Sequence, residues 1–161
     1  MNRSFRSLEP AEVLSLAINV EIRNAKRYQT FSILFAGYDD PVSALFEEMA
    51  QEEMQHQGIL EKLYRERFGA QSITVTESDI DEVVEAVDVE DAEHFIFDDM
   101  TRRRVLDAAL RAENGAQKFY EGLLPDTRDA GLHQLYAQLA GFEEDHVAAI
   151  HQALERLDAA R

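Results

Sequence analysis

Glu53 and His56 form a Glu-x-x-His pair, and ninety residues later Glu143 and His146 form a second one. Each pair is preceded by a lone glutamate, Glu21 or Glu113, and each of these is followed seven residues on by a tyrosine, Tyr28 or Tyr120. The chain thus reads as a twofold repeat of Glu, Tyr, Glu-x-x-His. Four carboxylates and two imidazoles are the ligand inventory of a two-metal site. Two divalent cations bring four positive charges, which four glutamates cancel. The spacing has a mechanical reason: residues i and i+3 share one helix face, so a single turn aims a carboxylate and an imidazole at one point.

The surrounding residues say where these groups point. Apolar stripes with steps of three and four run through all four segments, as they do on the inward face of a packed helix. The first is Leu14, Ile18, Glu21, Ala25, Tyr28, Ser32, Phe35, and the second is Phe46, Met49, Glu53, His56, Leu60, Leu63. The third is Leu106, Ala109, Glu113, Ala116, Tyr120, Leu123, and the fourth is Leu135, Leu139, Glu143, His146, Ile150, Ala153, Leu157. All six candidate ligands stand where a leucine is expected. One Glu-x-x-His alone ordinarily marks a solvated face. Two copies on inward stripes, each with an inward glutamate upstream, point to metal, because buried carboxylates persist only when paired or bound to a cation. One Glu from each of two helices and Glu-x-x-His from each of two others is the di-iron pattern of helix bundles.

The elements that position these groups are marked by helix punctuation. Pro10 suits a first helical turn and Gly37 a stop, which predicts a helix over 10–36. Asp40 as N-cap with Pro41 after it opens a second helix over 41–67, with Gly69 past its end. A third spans 101–123 before Pro125, and a fourth runs over 129–158. Two short connections make two antiparallel hairpins. Between them, residues 68–100 form a long crossover that carries the chain back along the bundle. It holds no Lys or Arg but eleven Asp or Glu from Glu77 to Asp99. Ile80 to Val87 reads as a short helix, and Ile73, Val75, Val83, Val84, Val87, Phe95, Ile96 and Phe97 as its bundle-facing residues. The acidic run is read chiefly as a solvated face, with an acidic approach path for Fe2+ as the alternative.

Composition agrees with one domain over 1–161. The absence of cysteine excludes disulfides and thiolate metal sites and is compatible with a reducing cytoplasm, the expected location. No apolar run approaches the roughly 18 residues of a membrane span, and Met-Asn-Arg-Ser-Phe-Arg lacks the apolar core of a signal peptide. A net charge of −16 argues against nucleic acid or an anionic membrane as partner.

Four motifs carry a family resemblance. Phe46-Glu-Glu-Met-Ala-Gln-Glu-Glu-Met-Gln-His56, Ala112-Glu-Asn-Gly-Ala-Gln-Lys-Phe-Tyr120 and Leu139-Ala-Gly-Phe-Glu-Glu-Asp-His146 resemble the helix signatures of the rubrerythrin branch of the ferritin-like superfamily. Leu63-Tyr-Arg-Glu-Arg-Phe-Gly69 is similar to the erythrin domain of membrane-bound ferritins. The resemblance spans about residues 8–158 and implies an all-α, ferritin-like antiparallel four-helix bundle holding two iron ions. It implies that Glu53 and Glu143 bridge the ions, with Glu21 and His56 completing one and Glu113 and His146 the other. It further implies a homodimer and oxidation of Fe2+ by O2 or H2O2. The same ligand types accept Mn or Zn.

The chain departs from rubrerythrins at Ala116, where they carry an extra glutamate linked to peroxide chemistry, and in lacking the four-cysteine rubredoxin domain. It also stops at Arg161, where membrane-bound ferritins continue into a transporter domain. Peroxide reduction with an external rubredoxin-type donor, oxygenation of an organic substrate, and a non-enzymatic iron-binding or sensor role are the alternatives. Tyr28 and Tyr120 are read as hydrogen-bond donors to ligand carboxylates, with ordinary core tyrosines as the bland alternative. Glu52 and Glu144 point about 100° away from the ligands and are read as surface or interhelical. His133 and His151 are expected in solvent, His94 in the crossover, and Met49 and Met54 in packing.

Overall fold

Four helices carry the chain: α1 (Pro10–Phe35), α2 (Asp40–Phe68), α3 (Asp99–Leu123) and α4 (Ala130–Ala159). A computed structural model describes residues 8–70 and 99–160. Among these there is no strand, and the fold is all-α. The proposed crossover features at 71–98, including the Ile80–Val87 helix, the acidic run and His94, lie outside the described residues.

The helix ends follow local chemistry. Glu9 and Glu12 form a reciprocal capping box at the start of α1, with Pro10 in the first turn, where a missing N–H costs nothing. α1 ends at Phe35, and Gly37 takes φ 84°, the left-handed conformation glycine adopts without strain. The N-cap of α2 is Asp39 rather than Asp40: its side chain accepts from Val42 N at 3.2 Å. Asp40 instead accepts from Gly37 N at 2.9 Å and closes the turn between the helices. Gly69, at φ 73°, ends α2. α3 continues into a short 3-10 turn, Leu124–Asp126, and Asp129 caps α4 by accepting from Leu132 N at 3.0 Å.

Short turns join α1 to α2 and α3 to α4 as antiparallel hairpins. Contacts between the hairpins fix how they face. Tyr28 meets Glu113 while Tyr120 meets Glu21, so α1 and α3 run antiparallel. Glu52 meets His146 while His56 meets Phe142, so α2 and α4 do too. α2 and α3 therefore run in the same direction, and Phe68 and Asp99 sit at opposite ends of the bundle. Arg67 pairs with Asp129 and Arg103 with Asp158, the first of these tying the two hairpins together.

The core is split in two. One apolar plug gathers Leu14, Leu16, Val20, Leu60, Tyr120, Tyr136 and Leu139. The other gathers Tyr28, Phe31, Phe35, Phe46, Met49, Leu106 and Ile150. In the second, Phe46 stacks on Tyr28 at 5.7 Å and meets Phe31 edge-on at 5.2 Å, geometries favoured by the ring quadrupoles. Ser32 stands on the stripe of α1 without being fully buried. It and Ser43 each donate a hydroxyl to the other's backbone carbonyl, at 2.9 and 2.7 Å, which pins α1 to α2. α1 buries a wider band than one stripe: Leu16, Ala17, Val20, Asn24, Arg27 and Phe31 are buried besides the expected residues.

Candidate metal centre

Between the two plugs lies a polar layer. Glu21, Glu53, Glu113 and Glu143 are each 0 % exposed, and His56 and His146 are 5 % and 4 % exposed. Each helix contributes through the same logic: a carboxylate on the inward stripe, and on α2 and α4 an imidazole one turn later. Ligand atoms of Glu21, Glu53, His56 and Glu143 all lie within 4.8 Å of one another, as do those of Glu53, Glu113, Glu143 and His146. The two groups share Glu53 and Glu143.

His56 turns Nδ1 inward, 3.2 Å from Glu53 and 3.4 Å from Glu21. His146 Nδ1 also faces inward, 3.4 Å from Glu53, 3.4 Å from Glu113 and 3.5 Å from Glu143. The outward nitrogen of His146, Nε2, lies 2.6 Å from Glu52, the interhelical contact made by this half-buried carboxylate. Glu144, His133 and His151 are exposed. Met49 packs in the core, but Met54 does not: it is 41 % exposed, because it lies outside the inward stripe.

Burying so many titratable groups forces protons onto the cluster. Burial, then repulsion by Glu53, pushes the Glu21 carboxyl well above its ordinary range. Burial, then repulsion by Glu113 and Glu53, does the same to Glu143. Burial opposes ionisation of Glu53 as well, but contacts with Glu21, His146 and His56 outweigh it and hold this carboxylate at about 2. Burial opposes charging of His56, yet Glu21 and Glu53 raise it to about 9. His146 is raised further by Glu113, Glu143 and Glu53 against the same burial. Glu53 is thus the anchor anion, and neighbours hold protons around it.

The tyrosines cross between helices. Tyr28 on α1 donates to Glu113 on α3, and Tyr120 on α3 donates to Glu21 on α1. Burial, then the facing carboxylate, pushes both phenols well above their ordinary range, so they remain neutral donors. Each tyrosine thereby locks the other helix's glutamate in place.

Sequence reasoning did not single out Asn24, Arg27 or Phe142. Asn24 is fully buried one turn beyond Glu21; its carbonyl oxygen accepts from Arg27 at 3.2 Å, and its amide nitrogen has no partner. The signal was present: the ninety-two residues that separate Glu21 from Glu113 also separate Asn24 from Ala116, so one half of the repeat carries a polar side chain where the other carries a methyl. Phe142 stacks on His56 with ring centroids 4.9 Å apart.

The donor set is suited to holding metal. Glu21 Oε2, Glu53 Oε1, Glu113 Oε2, both Glu143 oxygens and His146 Nδ1 are buried without hydrogen-bond partners. Orphaned buried acceptors of this kind are costly unless a cation completes them. Oxygen and imidazole donors suit Fe, Mn or Zn alike.

The rubrerythrin family model matches residues 12–102, more than half of the chain. Among solved structures, a hypothetical protein from Pyrococcus furiosus is 19 % identical with a TM-score of 0.77, over 98 % of this chain and 96 % of that one. An uncharacterized conserved protein from Magnetospirillum magnetotacticum MS-1 is 21 % identical with a TM-score of 0.76, over 92 % and 95 %. At such identities the likeness concerns the fold. No curated protein matches the chain significantly. No described helix is long and apolar enough to cross a membrane.

Proposed function

The chain belongs to the rubrerythrin family, and from that premise we propose that its buried cluster holds two iron ions and serves the oxidation of Fe2+ by O2 or H2O2. Glu21 and His56 would complete one position, Glu113 and His146 the other, and Glu53 and Glu143 would bridge them. The observation that carries this reading is the sharing of Glu53 and Glu143 by two ligand groups drawn from all four helices. When bound, the iron pair supplies the redox change.

The chain's own residues do the rest. Tyr28 and Tyr120 hold Glu113 and Glu21 in fixed orientations, so the ligands need little reorganisation. The apolar plugs above and below exclude bulk water. Glu21, Glu143, His56 and His146 hold protons that bound cations would displace, which would keep the buried layer near charge balance. Ala116, fully buried, offers a methyl where rubrerythrins carry a further carboxylate, and this favours Fe2+ oxidation over sustained peroxide reduction. The lack of cysteine fits a cytoplasmic setting. Ile33, Ile59 and Phe142 are exposed apolar side chains, and sedimentation velocity measures whether two copies pair.

The test is stopped-flow oxidation of the Fe2+-loaded protein by O2 and by H2O2, for wild type and Ala116→Glu. Wild type is expected to oxidise Fe2+ rapidly, with product iron leaving or exchanging, and to cycle slowly when a rubredoxin-type donor is supplied. The variant is expected to shift toward peroxide. A wild-type protein that ignores O2, reacts fast with peroxide and turns over with the donor overturns the reading in favour of a peroxide reductase.

A further inference from the structure

The two halves of the repeat differ at one informative position. The residue before the ligand glutamate is Glu52 in the first half and Phe142 in the second. Each reaches across to the histidine of the other hairpin. Glu52 lies 2.6 Å from the outward nitrogen of His146. Phe142 stacks on the ring of His56 instead, and among the described residues no carboxylate meets the outward edge of that ring. A carboxylate accepting the outward N–H of an imidazole fixes its tautomer and raises its basicity toward a metal on the inward nitrogen. A phenyl ring does neither.

We propose that Glu52 makes the two metal positions unequal: the Glu53, Glu113, Glu143, His146 position takes the first, tighter ion, and the Glu21, Glu53, His56, Glu143 position holds the second as an exchangeable one. Glu52 is a positioning residue acting through His146. This inference rests on the two-ion reading above and assigns the transit of substrate iron to the His56 side. Outer carboxylates of this kind change metal affinity by about 10- to 100-fold, and the half-exposed setting of Glu52 points to about tenfold.

The experiment is a titration of the metal-free full-length chain with Co2+, followed by calorimetry and by the visible absorption of the bound ion. Wild type should fill in two steps separated by about tenfold or more. Glu52→Gln should weaken the first step about tenfold, shift the absorption of the first equivalent only, and draw the steps together. Glu21→Gln should leave the tight position and Glu113→Gln the weak one. Adding Glu52→Gln should then weaken binding in the first background and not in the second. Equal affinities in wild type, or an equal loss at both positions on adding Glu52→Gln, overturns the inference and leaves the two-ion centre standing. A wild-type chain that takes up no Co2+ removes both.

Discussion

Raising the pH should destabilise the metal-free protein and strengthen the effect of metal on it. His56 is held at about 9 in the folded chain against 6.5 when unfolded. A raised value means that the folded state holds its proton more tightly. Its contribution to stability is therefore complete below pH 6.5 and lost as pH rises through about 9. That gap corresponds to about 3 kcal/mol, or about 6–12 °C in melting temperature for a domain of this size.

The other groups act as follows. His146 adds to the loss in the same direction, and Glu21 and Glu143 begin it lower, above pH 4.5. Glu53 works oppositely: its contribution is present above 4.5 and is lost as pH falls through about 2, outside the window. Cations displace these protons, so the increment in melting temperature caused by Co2+ should grow across the same range. Scanning calorimetry between pH 6 and 9.5, with and without Co2+, reads both trends, and His56→Gln should flatten the metal-free one. A metal-free melting temperature that stays level or climbs over this window refutes the proton-filled cluster.

Replacing a shared carboxylate, Glu53→Ala or Glu143→Ala, should cut the stoichiometry from two ions per chain to about one or none; two ions retained by both variants in calorimetric titration would end the bridged arrangement. Tyr28→Phe and Tyr120→Phe each leave a buried carboxylate oxygen without its donor and should cost about 1–3 kcal/mol in urea unfolding. The first should weaken metal binding on the Glu113 side and the second on the Glu21 side, in keeping with the crossed hydrogen bonds. Phe46→Ala removes the ring shared by Tyr28, Phe31 and Phe35 and should cost about 3–5 kcal/mol, with the number of bound ions unchanged.

The inward stripes of Glu21, Glu53, Glu113 and Glu143 were legible because a charged residue breaking a regular apolar period is informative by itself. The tyrosine partners were not. Seven residues along a helix is about 10.5 Å of rise, too far for Tyr28 to reach Glu21, so its acceptor has to come from a facing helix whose register one sequence does not reveal. Asn24 and Arg27 are not legible because the inward stripe of α1 does not pass through them. That helix touches both α2 and α3 and so buries a second stripe, on which Asn24 lies. The α2 boundary moved by one residue because two aspartates precede Pro41, and either could cap the helix. The contrast between Glu52 and Phe142 takes its meaning from the side-by-side packing of α2 and α4, which spacing alone does not reveal.

Neither ligand group belongs to one hairpin. The first takes Glu21, Glu53 and His56 from α1 and α2 but Glu143 from α4, and the second takes Glu113, Glu143 and His146 from α3 and α4 but Glu53 from α2. Each half of the chain thus supplies three donors to one position and lends one to the other. The arrangement is that of a molecule shaking hands with itself. A single hairpin associating with its own twin about a two-fold axis would assemble the same pair of positions, so the centre has no need of the long connection from α2 to α3. Duplication and fusion of such a hairpin would then free each copy to diverge at positions such as 52 and 142 while the shared Glu53 and Glu143 keep the two halves in register.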